Sequence, residues 1–191
     1  QYASEELRRD KVIFMAAVKH NAEALGYTRD KEVVLAVVKH DGKALEYAIA
    51  ELHRDKDVML AAVQQVGDLT ENVLEMFNSF VSENLRADKE VVLYAVKKDG
   101  KALEYASDAL RGDKNVVLAA VNHNALALQF ASKTLRADKE VVLAAVKRNG
   151  KVLEYASEGL RGDKDVVLAA VTQEGVALEY ASNGLRGDEC V

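Results

Sequence analysis

Aspartates stand at Asp30, Asp55, Asp88, Asp113, Asp138, Asp163 and Asp188, and each opens a version of one phrase. It reads DKEVVLAVVKHDGKALEYA from Asp30, DKEVVLYAVKKDGKALEYAS from Asp88 and DKEVVLAAVKRNGKVLEYAS from Asp138. Neighbouring aspartates are 25 residues apart, except for a step of 33 from Asp55 to Asp88; the step from Asp10 to Asp30 is 20. A fixed period of this length marks supersecondary units that cannot bury their apolar faces alone and must stack on their neighbours. The chain 1–191 therefore reads as one continuous array. Its units are 10–29, 30–54, 55–87, 88–112, 113–137, 138–162 and 163–187, with partial units 1–9 and 188–191. Tyr2-Ala3-Ser4 and Leu7-Arg8 match the second half of a unit, and Asp188 to Val191 open another, so the array is expected to continue beyond both ends.

The phrase predicts two helices per unit. In the unit from Asp138, that residue is a helix N-cap and Lys139 to Arg148 form the first helix. Asn149-Gly150 supplies the stop, with glycine expected in the left-handed conformation. Gly42, Gly67, Gly100 and Gly175 repeat it. A second helix is expected from about Lys151 to Leu160, with Leu153, Ala156 and Leu160 on one stripe. The run Val141-Val142-Leu143-Ala144-Ala145-Val146 would also suit a buried strand, because short apolar runs do not fix the period. The Asp cap, the Ala-Ala pair and the Gly stop favour helix. On a helical wheel Val141, Val142, Leu143, Ala145 and Val146 cover an arc of about 200°. That is wide enough to touch the unit's own second helix and both adjacent units. The fold class expected is all-α, an α-solenoid of stacked two-helix repeats of about 25 residues.

Segments such as DKEVVLAAVKRNGKVLEYASEGLRGDKDVVLAAV resemble the repeats of domain of unknown function family 4116. The resemblance runs through essentially the whole chain and rests on the Asp, Ala-Val-Lys, Gly, Leu-Glu-Tyr-Ala-Ser and Leu-Arg signature. It implies a helical tandem-repeat protein of bacteria or unicellular eukaryotes, sometimes in secreted bacterial effectors, and brings no catalytic residues with it.

Composition narrows the partners. There are 31 acidic and 26 basic residues, a formal net charge of −5, so the chain as a whole does not attract phosphate backbones. Proline is absent, as suits short-connected helices. The single cysteine, Cys190, excludes an internal disulfide, which suits a reducing compartment; a secreted effector fits the family resemblance equally. No apolar run approaches the roughly 20 residues a membrane span needs, and no signal peptide is visible.

Residues that recur in every unit read as stacking residues before they read as chemistry. The Asp series caps helices. Arg86, Arg111, Arg136, Arg161 and Arg186 are expected to lie along apolar surface or to pair with a nearby Asp. Tyr2, Tyr27, Tyr47, Phe80, Tyr105, Phe130, Tyr155 and Tyr180 form an aromatic series, expected as a half-buried ladder with hydroxyls near the surface; a ligand-stacking groove is the functional alternative. His20, His40 and His123 share a place that other units fill with Lys98, Arg148, Gln65 or Gln173, which does not fit an array of metal sites. Positive charge there complements the C-terminal end of the first helix. His53 has no metal-ligating company. No nucleophile motif, phosphate-cradling Gly loop, paired-Cys spacing or HExxH occurs, so no catalytic residue, cofactor or metal is expected.

Departures from the repeat are where binding is expected. The unit from Asp55 to Ala87 carries eight extra residues in GDLTENVLEMFNSFVSENLR. Leu69, Val73, Leu74, Phe77, Phe80 and Val81 fall at helical spacing, so its second helix should be about two turns longer, with Met76 and Phe77 placed to dock a partner. The unit from Asp10 lacks five residues after Tyr27, truncating its second helix. Tyr94 stands where other units have Ala16, Ala36, Ala61, Ala119, Ala144 or Ala169, on the outward face, with Lys97 and Lys98 beside it. Lys19-His20, Lys39-His40, Lys97-Lys98 and Lys147-Arg148 form a potential basic ridge, against which Glu32, Glu90, Glu140 and Asp165 lie on the same helices. The function expected is a non-enzymatic protein-interaction scaffold with Tyr94, Lys97, Lys98, Met76 and Phe77 as contacts. The alternatives are a structural spacer or docking subunit of a large assembly and, more weakly, nucleic-acid or anionic-surface binding by the basic ridge.

Overall fold

A computed structural model describes Val18 and residues 21–65, 74–75 and 78–187. Six helices open successive repeats: α1 (Lys31–Val38), α2 (Lys56–Gln65), α3 (Lys89–Lys98), α4 (Lys114–His123), α5 (Lys139–Val146) and α6 (Lys164–Gln173). No strand occurs among the described residues, and the protein is an all-α array of stacked helical repeats. It divides into two compact units, Gln1–Tyr94 and Ala95–Val191.

In the second unit the repeat is complete. The Asp138 carboxylate accepts from the amides of Glu140 and Val141 at 3.0 and 3.1 Å, satisfying two of the donors that a helix start leaves free. Val141, Val142, Ala145 and Val146 of α5 are fully buried, while Leu143 is half-buried at the edge of the stripe. A 3-10 helix, Gly150–Tyr155, follows, and its N-cap is Asn149, whose side chain accepts from the Lys151 amide at 2.9 Å. Val152 and Leu153 then complete the core.

The second helix does not run unbroken from Lys151 to Leu160. Ala156 and Ser157 are extended, with φ/ψ of −68/156° and −60/155°, and a single turn, Glu158–Arg161, closes the repeat. The break has a physical reason. An extended Ser157 is free to donate its amide to the Arg136 carbonyl of the preceding repeat at 2.8 Å. Ser132 donates to Arg111 at 2.9 Å and Ser182 to Arg161 at 2.8 Å in the same way. A continuous helix would use these amides internally and leave the repeats without a backbone bond between them.

Glycine also works differently from the expectation. No described glycine has positive φ. Gly100 and Gly150 instead begin the 3-10 helices, where a Cβ would lie 2.4 Å from the Ala120 carbonyl oxygen and 2.3 Å from that of Ala170. The missing side chain lets one repeat's backbone close onto the next repeat's helix.

The first unit follows the same plan. Val33, Val34 and Val38 of α1, Leu45 of the 3-10 helix Gly42–Tyr47, and Val58, Met59 and Val63 of α2 form its core together with Leu25. After the 3-10 helix Ala22–Tyr27 the chain passes through Thr28 directly to the Asp30 cap. The five-residue deletion has removed the terminal turn of the repeat, and the buried Thr28 hydroxyl accepts from the Asp30 amide at 3.1 Å. The lengthened helix expected in the unit from Asp55 falls largely outside the described residues. Its end regains the standard form: Val81 is buried, Ser82 is extended and a turn spans Glu83–Arg86.

Candidate interaction surface

The strongly recurring charges are spent on stacking. Four of the capping aspartates, Asp55, Asp88, Asp138 and Asp163, divide their two oxygens between two tasks. Oδ1 of Asp138 takes the helix amides, while Oδ2 lies 2.8 Å from Lys114 Nζ in the previous repeat. Lys114 also reaches Glu140 at 2.8 Å. Lys139 repeats this on Asp163 and Asp165 at 2.9 and 2.8 Å. In the first unit Lys31 bridges Asp55 and Asp57 at 2.8 and 2.7 Å, and Lys56 bridges Asp88 and Glu90, both at 2.9 Å. The Lys114 ammonium and then the Val141 amide hold the Asp138 carboxyl below its ordinary value. Reciprocally, Asp138 and then Glu140 hold Lys114 above the ordinary lysine value.

Within the Arg series, Arg86 bonds across the break in its own repeat, whereas the Nε atoms of Arg136 and Arg161 are buried without a hydrogen-bond partner. Arg86 donates from Nε to the Val81 carbonyl at 3.0 Å and from a terminal nitrogen to the Asn78 carbonyl at 3.2 Å. Arg111 does pair with an acid, Asp108, one turn earlier. At the place equivalent to Arg86, one repeat earlier, stands His53. Its Nε2 lies 2.8 Å from the Leu45 carbonyl, and its ring meets Phe80 edge-on at 5.0 Å. His53 therefore takes over the arginine's carbonyl-binding task, a role that residue types alone do not suggest. The available signal is its alignment with the Arg series, one residue before the usual Gly or Ala.

The aromatic series is graded. Tyr27 is 65% exposed, while Tyr105, Phe130, Tyr155 and Tyr180 of the second unit are half-buried. Glu46 hydrogen-bonds the Tyr47 phenol and Glu154 that of Tyr155, and each carboxylate raises its phenol above the ordinary tyrosine range.

Of the expected contact residues, Tyr94 on α3 is 39% exposed, whereas Val91, Val92, Ala95 and Val96 of the same helix are fully buried. Lys97 is exposed and Lys98 half-buried. Met76 and Phe77 lie outside the described residues. The equivalents of Tyr94 differ in environment: Ala36 is exposed, Ala119, Ala144 and Ala169 are half-buried, and Ala61 is buried. His40 and His123 are exposed at the ends of their helices. Among the described residues no three His, Cys, Asp or Glu side chains are grouped to hold a metal, and no helix is long and apolar enough to cross a membrane.

Helices capped by aspartate, broken at Ala-Ser and tied across a 25-residue period by lysine bridges define a tandem helical-repeat protein. The model of the family described as Domain of unknown function (DUF4116) matches residues 30–86, 75–111, 113–161 and 138–186, and the chain belongs to that family. The last two matches start one period apart, at 113 and 138, so one match spans two repeats. No curated protein and no solved structure matches the chain.

Proposed function

We propose that the chain is a non-enzymatic scaffold that presents the surface of its repeats to another protein. The observation that carries this reading is the division of labour between recurring and varying positions. Recurring Asp, Lys, Val and Ser are consumed in caps, bridges, core and backbone bonds. At one varying position the side chain reaches the surface: Tyr94 is 39% exposed where other repeats carry alanine. A surface that is free to vary on a fixed frame can acquire specificity without cost to the fold.

The alternative, a structural spacer or docking subunit within a large assembly, draws on the same ladder of bridges, which would carry load along the array. Nucleic-acid binding is favoured less, because acids outnumber bases and the net charge is −5. Affinity recovery from extract with the intact chain, Tyr94→Ala and Met76→Ala/Phe77→Ala separates these readings. A protein recovered by the intact chain and lost with either variant supports the scaffold. Recovery that is equal in all three removes these residues as contacts, and recovery of no specific protein favours the spacer.

A further inference from the structure

We propose that the groove between residues 122–126 and 147–149 receives a short acidic segment of a partner polypeptide; this deepens the scaffold reading and rests on it. The groove is open, has a volume of about 500 Å³ and is lined by His123, Asn124, Ala125, Leu126, Lys147, Arg148 and Asn149.

Its origin lies in one substitution. Gly100 and Gly150 let their repeats close onto the following helix, and those helices, α4 and α6, run on to His123 and Gln173. The intervening repeat carries Ala125 at that place, and the helix that follows, α5, ends at Val146, two residues earlier in the repeat. There the amides of both Arg148 and Asn149 turn onto the Ala145 carbonyl, at 3.0 and 3.1 Å. The first unit shows the same coupling. Ala22 precedes α1, which ends at Val38 with His40 and Asp41 both bonded to Val37, whereas Gly42 precedes the longer α2. A methyl group where a carbonyl would otherwise pack tightens the last helical turn, and the groove lies at that turn.

The chemistry of the lining is that of a donor set. His123 Nδ1 accepts from the Gly100 amide at 3.2 Å, which places the ring proton on Nε2. Oδ1 of Asn124 takes the Leu126 amide at 3.0 Å and Oδ1 of Asn149 takes the Lys151 amide at 2.9 Å, leaving each side-chain NH₂ to donate. Lys147 and Arg148 are exposed, and the side chain of neither is engaged by a described residue. The acids that would oppose them on α5 and α6 are already committed: Glu140 to Lys114 and Asp165 to Lys139. No carboxylate lines the groove. Two cations and three neutral donors around an open cleft select carboxylates. A long polyanion is disfavoured, because Glu104, Glu154 and Glu179 are exposed on the 3-10 helices of the same unit.

The test is fluorescence anisotropy of a labelled decapeptide of alternating glutamate and serine with the whole chain at low salt. Saturable binding is expected, weakened about tenfold or more by Lys147→Gln/Arg148→Gln. Lys43→Gln/Lys133→Gln, which removes two exposed lysines elsewhere and changes the net charge equally, is expected to leave affinity within about twofold. Absence of saturable binding, equal loss in both double variants, or tighter binding of mixed-sequence single-stranded DNA than of the peptide would overturn the proposal. The scaffold reading is scored separately by the Tyr94→Ala recovery. Failed peptide binding with Tyr94-dependent recovery intact overturns the groove alone; retained, groove-dependent peptide binding supports it even if recovery ignores Tyr94.

Discussion

Lys139 Nζ lies 2.9 Å from the Oδ2 of Asp163, whose other oxygen caps the start of α6. One carboxylate thus begins a helix and ties it to the preceding repeat. The two tasks are separable by substitution. Asn keeps a capping oxygen but gives up the ion pair, so Asp163→Asn is expected to cost about 0.3–1 kcal/mol. Asp163→Ala loses both and is expected to cost about 1–2 kcal/mol. Urea unfolding of both variants checks the order; no loss in Asp163→Asn would leave the bridge without energetic weight, and equal losses in the two would leave the cap without it.

The bridges also set a pH window. Asp138 and Asp163 are held below their ordinary values, first by Lys114 and Lys139 respectively. Their contribution is fully present above the unfolded carboxylate value of about 3.9 and is lost as pH falls through the folded values. Lys114 and Lys139 are held above their ordinary value, first by Asp138 and Asp165 respectively. Their contribution is fully present below about 10.4 and is lost as pH rises through the folded values. Thermal melts should therefore show stability declining as pH drops below about 4, less steeply in Asp138→Asn/Asp163→Asn than in the parent.

Two glycines should respond oppositely to the same substitution. Gly150→Ala drives a methyl into the Ala170 carbonyl at 2.3 Å and is expected to destabilise by about 1–3 kcal/mol. Gly159, inside the turn Glu158–Arg161, has nothing within 4 Å of the place a Cβ would take, so Gly159→Ala is expected to stabilise by about 0.4–1 kcal/mol. Chemical denaturation with both changes measured separately decides whether close approach is the reason for glycine at position 150.

Ser157 offers a direct probe of the backbone bond between repeats. Its φ of −60° and the extended Ala156 before it suit proline, so Ser157→Pro is compatible with the local backbone while deleting the donor to Arg136. The expected cost is about 1–3 kcal/mol, read from urea unfolding. Ser157→Ala keeps that amide and loses only the Oγ contact to the Leu160 amide at 3.4 Å, for under about 1 kcal/mol.

What is legible in the sequence is what repeats locally. Asp138, Val141, Val142, Ala145 and Val146 announce a capped helix and its buried stripe, and the structure places them so. The Ala-Ser break is hidden although Ser157 stands where an N-cap would, because the apolar stripe through Leu153, Ala156 and Leu160 continues across it. The amide that breaks the helix bonds to Arg136, 21 residues away, beyond the reach of any local pattern. The bridge from Lys114 to Asp138 spans 24 residues and is hidden for the same reason. Gly150 does mark the junction, but not through a left-handed conformation, since its constraint is a carbonyl in the next repeat. The groove at Ala125 is invisible because replacing Gly by Ala between helices looks conservative until that carbonyl is in view.

The repeat 138–162 is tied on both sides: Lys114 and the Arg136 carbonyl reach it from the preceding repeat, and its Lys139 and Arg161 carbonyl bind the following one. Circular dichroism of a peptide spanning residues 138–162 in water, beside the whole chain, tests this most directly. A largely unfolded peptide with no cooperative thermal transition is predicted, while the whole chain melts cooperatively. A helical peptide with its own cooperative melt would contradict this dependence on neighbours.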